Sequence, residues 1–90
     1  MIERYRLNEE LVFRHEGQGG IVFDPRTGGI EPVNLAGALI LSAVEDKRTL
    51  DELLAEMNRI FEGTTSEDMM RDVEEFLRSC VEAGIVKLTC

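Results

Sequence analysis

Histidine, cysteine and paired carboxylates are where catalysis by a small chain would be sought, and these 90 residues hold one His, two Cys and 18 Asp plus Glu. His15 is predicted at a strand end beside a glycine-rich turn, and no serine or cysteine stands in a recognisable nucleophile motif with it. Cys80 and Cys90 have no CxxC partner and no flanking histidines, which argues against a structural zinc site. Cys80 falls on the apolar side of a predicted helix, where a small buried hydrophobe is the ordinary reading. The pairs Asp51-Glu52, Glu67-Asp68 and Glu74-Glu75 are neighbours in helices, so their carboxylates diverge and cannot share a proton at one substrate. Gly17-Gln18-Gly19-Gly20 lacks the GK[ST] ending of a phosphate loop and joins two strands rather than a strand and a helix. Neither a catalytic constellation nor a cofactor site is expected.

Charge narrows the partners. Against those 18 acids stand 10 Lys plus Arg, a formal net charge of -8 that opposes approach to DNA or an anionic membrane. No apolar stretch nears the ~20 residues of a membrane span, and Met-Ile-Glu-Arg-Tyr-Arg lacks the apolar region of a secretory signal. The expectation is a cytoplasmic protein of one domain, residues 1–90, whose core uses nearly every apolar side chain.

The texture of the chain changes near residue 34. Before it, Leu11-Val12-Phe13 and Ile21-Val22-Phe23 have the content of strands, with residues 17–20 as their hairpin turn. Asp24-Pro25-Arg26-Thr27-Gly28-Gly29 predicts a second turn, and Ile30-Glu31-Pro32-Val33 a third strand at an edge, since Pro32 cannot donate to a ladder. After it the period is helical. Asn34 is the predicted N-cap of a first helix with Leu35, Ala36, Leu39, Ile40, Ala43 and Val44 on its apolar face. Thr49-Leu50-Asp51-Glu52 predicts a capping box for a second helix, with Leu50, Leu53, Leu54, Met57, Ile60 and Phe61 facing inward. Gly63 is predicted to end it, and Thr64, Thr65 and Ser66 are candidate caps for a third helix running to Ala83. Gly84 is placed as a left-handed C-cap before an extended Ile85-Val86-Lys87-Leu88. The expected fold is α+β: a three-stranded antiparallel sheet followed by three helices, like a winged helix-turn-helix.

That architecture raises DNA binding as an alternative function. The third helix, however, carries Glu67, Asp68, Asp72, Glu74, Glu75 and Glu82 against Arg71 and Arg78, the wrong balance for a recognition helix. An edge strand beside a Met, Val, Phe and Leu stripe suits a peptide instead, since an added strand gains main-chain hydrogen bonds and flanking pockets give specificity. A third alternative is an interaction domain that dimerises through this edge; monomer and weak homodimer both fit.

Particular segments also resemble a known family. Val33-Asn34-Leu35-Ala36-Gly37-Ala38-Leu39-Ile40-Leu41 is similar to the segment that opens the first helix of PqqD-like proteins. Thr49-Leu50-Asp51-Glu52-Leu53 is similar to their next helix, and Asp72-Val73-Glu74-Glu75-Phe76-Leu77 with Gly84-Ile85-Val86 to their third helix and exit. The resemblance spans roughly residues 10 to 88. It implies a RiPP recognition element, a non-catalytic chaperone that binds the leader of a ribosomally made precursor peptide and presents it to a radical SAM maturase. By position it implies an edge at Ile30, Glu31, Pro32 and Val33 and a groove wall at Met69, Met70, Val73, Glu74 and Leu77. The sequence departs from the family where Val33 replaces the usual leucine, where Asp46-Lys47 replaces a dipeptide that often contains glycine, and where Pro32 removes one donor from the edge.

Overall fold

The computed structural model describes residues 2–61 and 67–89. Among these residues five strands and three helices follow in the order β1 (Arg4–Leu7), β2 (Val12–Glu16), β3 (Gly19–Asp24), β4 (Gly29–Asn34), α1 (Leu35–Ala43), α2 (Leu50–Ile60), α3 (Glu67–Glu82) and β5 (Val86–Thr89). The fold is the α+β arrangement expected, an antiparallel sheet in the order β2-β3-β4 followed by three helices. A second sheet was not expected. β1 pairs with β5, antiparallel, from Arg4 opposite Thr89 to Leu7 opposite Val86.

The first hairpin is tighter than the four residues predicted. Glu16 pairs with Gly19, so only Gly17 and Gln18 form the loop. Gly17 takes φ 57°, and among the described residues no non-glycine has positive φ; a positive φ at only the first loop residue is the II′ pattern, whose twist matches the strands. Gly19 and Gly20 belong to β3. A Cβ on Gly19 would lie 2.6 Å from the Val33 carbonyl oxygen and one on Gly20 2.7 Å from that of Arg14, so bare glycine lets both neighbouring strands close in. In the second hairpin the Asp24 carboxylate accepts from the Arg26 backbone N–H at 2.9 Å, an Asx turn that starts the reversal to β4.

Local caps lie where the residue types place them. The Asn34 side chain accepts from Gly37 N at 2.8 Å. Thr49 Oγ1 accepts from Glu52 N at 3.1 Å, while the Glu52 carboxylate accepts from Thr49 N at 2.8 Å. At the end of α3, Gly84 has φ 80°, Ile85 N donates to Cys80 O and Gly84 N to Val81 O, a Schellman motif. Gly63 and the caps proposed at Thr64, Thr65 and Ser66 lie outside the described residues, as does Cys90.

The core gathers residues from five elements: Val22 from β3, Ile40, Leu41 and Val44 from and just after α1, Leu53 and Met57 from α2, Val73, Leu77 and Cys80 from α3, and Val86 from β5. The predicted inner face of α1 needs correction. Leu35 and Ala36 are exposed, whereas Ala38 and Leu41 are buried with Ile40. An almost wholly apolar helix has no polar face to orient it, so the neighbours β3 and α2 set its rotation instead.

Candidate functional site

Ladder register decides what the edge of β4 presents. Glu16 and Gly19 oppose each other across a two-residue loop, so Gly19 turns its N–H and C=O toward β2 and Gly20 turns its own toward β4. Continuing that alternation, Val33, Glu31 and Gly29 bond to β3, while Ile30, Pro32 and Asn34 face away. Pro32 thus sits where its missing N–H leaves the inner ladder intact. The consequence falls on the open side, where Ile30 offers a donor and an acceptor and Pro32 an acceptor alone.

Side chains alternate the other way. Glu31 and Val33 point to the same side as buried Val22, toward the helices; Ile30 and Pro32 lie on the outer sheet face. Ile30 is 63% exposed.

Across from this edge lies α3, and between them runs a groove built of three adjoining depressions. The first, about 340 Å³, is bounded by Gly29, Ile30, Glu31, Ala83 and Ile85, with Leu11 and Val22 beneath. The second, about 370 Å³, lies between Glu31–Asn34 and the row Phe76, Ser79, Cys80 and Ala83. The third and largest, about 530 Å³, opens from Asn34, Gly37 and Phe76 toward Ile40, Met57, Phe61, Met69, Val73, Asp68 and Asp72. Glu31, Ala83 and Ile85 are common to the first two, and Asn34 and Phe76 to the last two, so the three form one channel. Along it β4 and α3 run in opposite directions.

The residues predicted for the wall separate into three groups. Met69 and Val73 line the largest depression, although Val73 is only 5% exposed and belongs mainly to the core. Leu77 is fully buried and has no surface to offer a ligand. Met70 is exposed but borders none of the three depressions, and Glu74 lies beside a different hollow with Tyr5, Leu50, Arg78, Val81 and Leu88. The reason is angular: residues 70 and 74 are a turn apart on one flank of α3, whereas 69, 72, 73, 76, 79, 80 and 83 follow the flank that faces β4. Ser79 and Ala83 were missed because neither is apolar enough to join a hydrophobic stripe. Small residues repeating at three- and four-residue steps beyond Phe76 are the signal that could have found them, since they leave room for another backbone.

The electrostatics of the channel are one-sided. Among the described residues Asp24, Glu31, Asp68 and Asp72 line it, and no Lys or Arg does. Asp24 is paired with Arg26 at 3.2 Å and Asp68 with Arg71 at 3.5 Å. Cys80 is a free thiol in the floor, with its pKa pushed up to about 11 by burial and, secondarily, by the Glu31 carboxylate. It is a protonated wall residue at neutral pH.

His15 occupies another part of the molecule. It shares a hollow of about 280 Å³ with Ser42 and Glu56, but among the described residues no hydrogen bond joins His15 to Ser42, and Glu56 is held by Arg59 at 2.5 Å. The geometry of an activated serine is not present there.

A solved structure shares this architecture. The solved structure described as TbiB1 in complex with the TbiA(beta) leader peptide is similar to this chain with a TM-score of 0.75 and 18% sequence identity, over 91% of this chain and 94% of that one. No curated protein sequence matches. The profile of the family described as Coenzyme PQQ synthesis protein D (PqqD) matches residues 19–86. That stretch runs from the start of β3 to the start of β5 and contains both walls of the channel, about three-quarters of the chain: the chain belongs to the PqqD family.

Proposed function

We propose that this protein is a non-catalytic peptide chaperone, a single domain that binds the leader of a ribosomally synthesised precursor peptide and presents it to a radical SAM maturase. The observation that carries the reading is the open edge of β4 facing α3 across a continuous, largely apolar channel. An extended segment added beside β4 would bond to Ile30 and Pro32 through its main chain and seat alternate side chains in the depressions. A structure of the same fold, described as a complex with a leader peptide, supports a peptide-binding role. Tethering a leader raises the effective concentration of the attached core peptide at an active site that the maturase supplies.

The binding residues proposed are Ile30, Glu31, Pro32, Val33 and Asn34 on the strand side and Met69, Val73, Phe76, Ser79, Cys80 and Ala83 on the helix side. The test is a titration of isotope-labelled protein with leader segments of short peptides encoded beside its gene. Amide shifts should concentrate at residues 30–34 and along the 76–83 flank of α3. Tight binding with shifts confined to β2 or α2 would sink the groove assignment. Copurification with a radical SAM enzyme, strengthened by the peptide, tests the second half of the reading.

A further inference from the structure

The channel carries a charge pattern that sets the kind of peptide it takes. Four acids line it and no base does; Arg26 and Arg71 compensate Asp24 and Asp68, which leaves Glu31 and Asp72 with no ion pair among the described residues. The α3 N-terminus does not reverse this. Its dipole amounts to roughly half a positive charge, against Glu67, Asp68 and Asp72 with only Arg71 to offset them.

Spacing converts the charges into a ligand pattern. Asp72, Phe76 and Cys80 lie at successive four-residue steps on α3, and the Glu31 carboxylate acts on the Cys80 thiol across the channel. Eight residues of helix rise about 12 Å, and an extended strand covers that length in about four residues at ~3.3 Å each. Side chains at positions i, i+2 and i+4 of a strand share one face. Resting on the reading of the channel as a peptide site, we propose that it selects an extended segment of the pattern basic–x–apolar–x–basic. The central apolar residue packs against Phe76, and the flanking Lys or Arg side chains meet Asp72 and Glu31. The apolar residue supplies contact area and the two cations set register, because sliding the strand by one position turns all three side chains to the opposite face.

The probe is a phage-displayed library of random eight-residue peptides selected on the full chain. Enriched sequences should place Lys or Arg four positions apart around an apolar residue. Replacing either base by Gln in a synthetic copy should weaken binding about 3- to 10-fold, with a smaller loss in high salt. Selection on Asp72→Lys should exchange one basic position for an acidic one while leaving the other, and Glu31→Lys should do the converse. Asp72→Asn and Glu31→Gln serve as conservative variants that abolish the preference without inverting it, and circular dichroism confirms that each is folded. Enriched peptides that bind at β4 and α3 but show no basic preference would overturn this inference and leave the peptide-binding function standing. No enrichment by the full chain would overturn the peptide-binding reading itself, and the charge pattern with it.

Discussion

A Cβ on Gly37 would lie 2.9 Å from Cε1 and 3.0 Å from Cζ of Phe76, so the first turn of α1 and the channel-side ring of α3 are in contact only because residue 37 has no side chain. The Asn34 cap adds to the crowding, with Oδ1 at 3.3 Å from the same point. Phe76 thereby settles where two depressions meet, and the position of its ring sets how deep the channel is.

Gly37→Ala is expected to disturb this contact. Alanine gains up to about 1 kcal/mol in helix propensity, but crowding in a packed site costs about 1–3 kcal/mol, so the variant should be modestly less stable and bind groove peptides more weakly. In a Phe76→Ala background the same substitution should become neutral or stabilising. A double-mutant cycle by urea denaturation measures the coupling.

Channel and core residues of α3 should separate cleanly in mutagenesis. Ser79→Trp fills the second depression from an exposed position, so it should abolish peptide binding with stability changed by no more than about 0.5 kcal/mol. Leu77→Ala should instead cost about 2–5 kcal/mol, because Leu77 is fully buried. Met70→Ala should alter neither affinity nor stability appreciably. Calorimetry with a selected peptide, paired with thermal melts, reads all three.

Asn8 fastens the start of the chain to the end of α3. Its Nδ2 donates to Gly84 O at 2.8 Å, its Oδ1 accepts from Glu10 N at 3.0 Å, and its own N–H donates to Ile85 O at 2.9 Å. Asn8→Ala strips two side-chain partners from a buried position and should destabilise by about 1–3 kcal/mol. Hydrogen exchange in β1 and β5 should rise before that in β2, β3 and β4.

Cys80 predicts an alkaline dependence. Its thiol is raised from 9.0 to about 11 by burial first and Glu31 second, so the folded state holds the proton more tightly than the unfolded one. The resulting stabilisation is complete below pH about 9 and is lost as pH climbs to about 11. The stability of the wild type towards denaturant should therefore fall across that window relative to Cys80→Ala, whose deficit from lost packing does not vary with pH. Thiol reagents at pH 8 should modify Cys80 slowly, and a bound peptide should slow them further; mass spectrometry of the separated peptides distinguishes it from Cys90.

Features of short range were legible in the residue order. The Asn34 cap, the Thr49–Glu52 box and Gly84 at φ 80° each depend on chemistry within four residues, and Pro32 alone placed β4 at an edge. The acid excess on α3 followed from composition along a single helix. Other features required the chain to close on itself. β1 was missed because Arg4–Leu7 has its partners at Val86–Thr89, at the other end of the chain. Periodicity named the apolar stripe of α3 but assigned no depth within it, so Leu77 at the centre of the core and Met69 at the channel mouth looked alike. Ser79 and Ala83 gained their role only from the proximity of β4, and Pro32 turned out to face the open side only through the register inherited from a two-residue hairpin. Caps and charge balance are properties of neighbouring residues, whereas a channel exists only between two surfaces, and packing alone decides which side chains are left to line it.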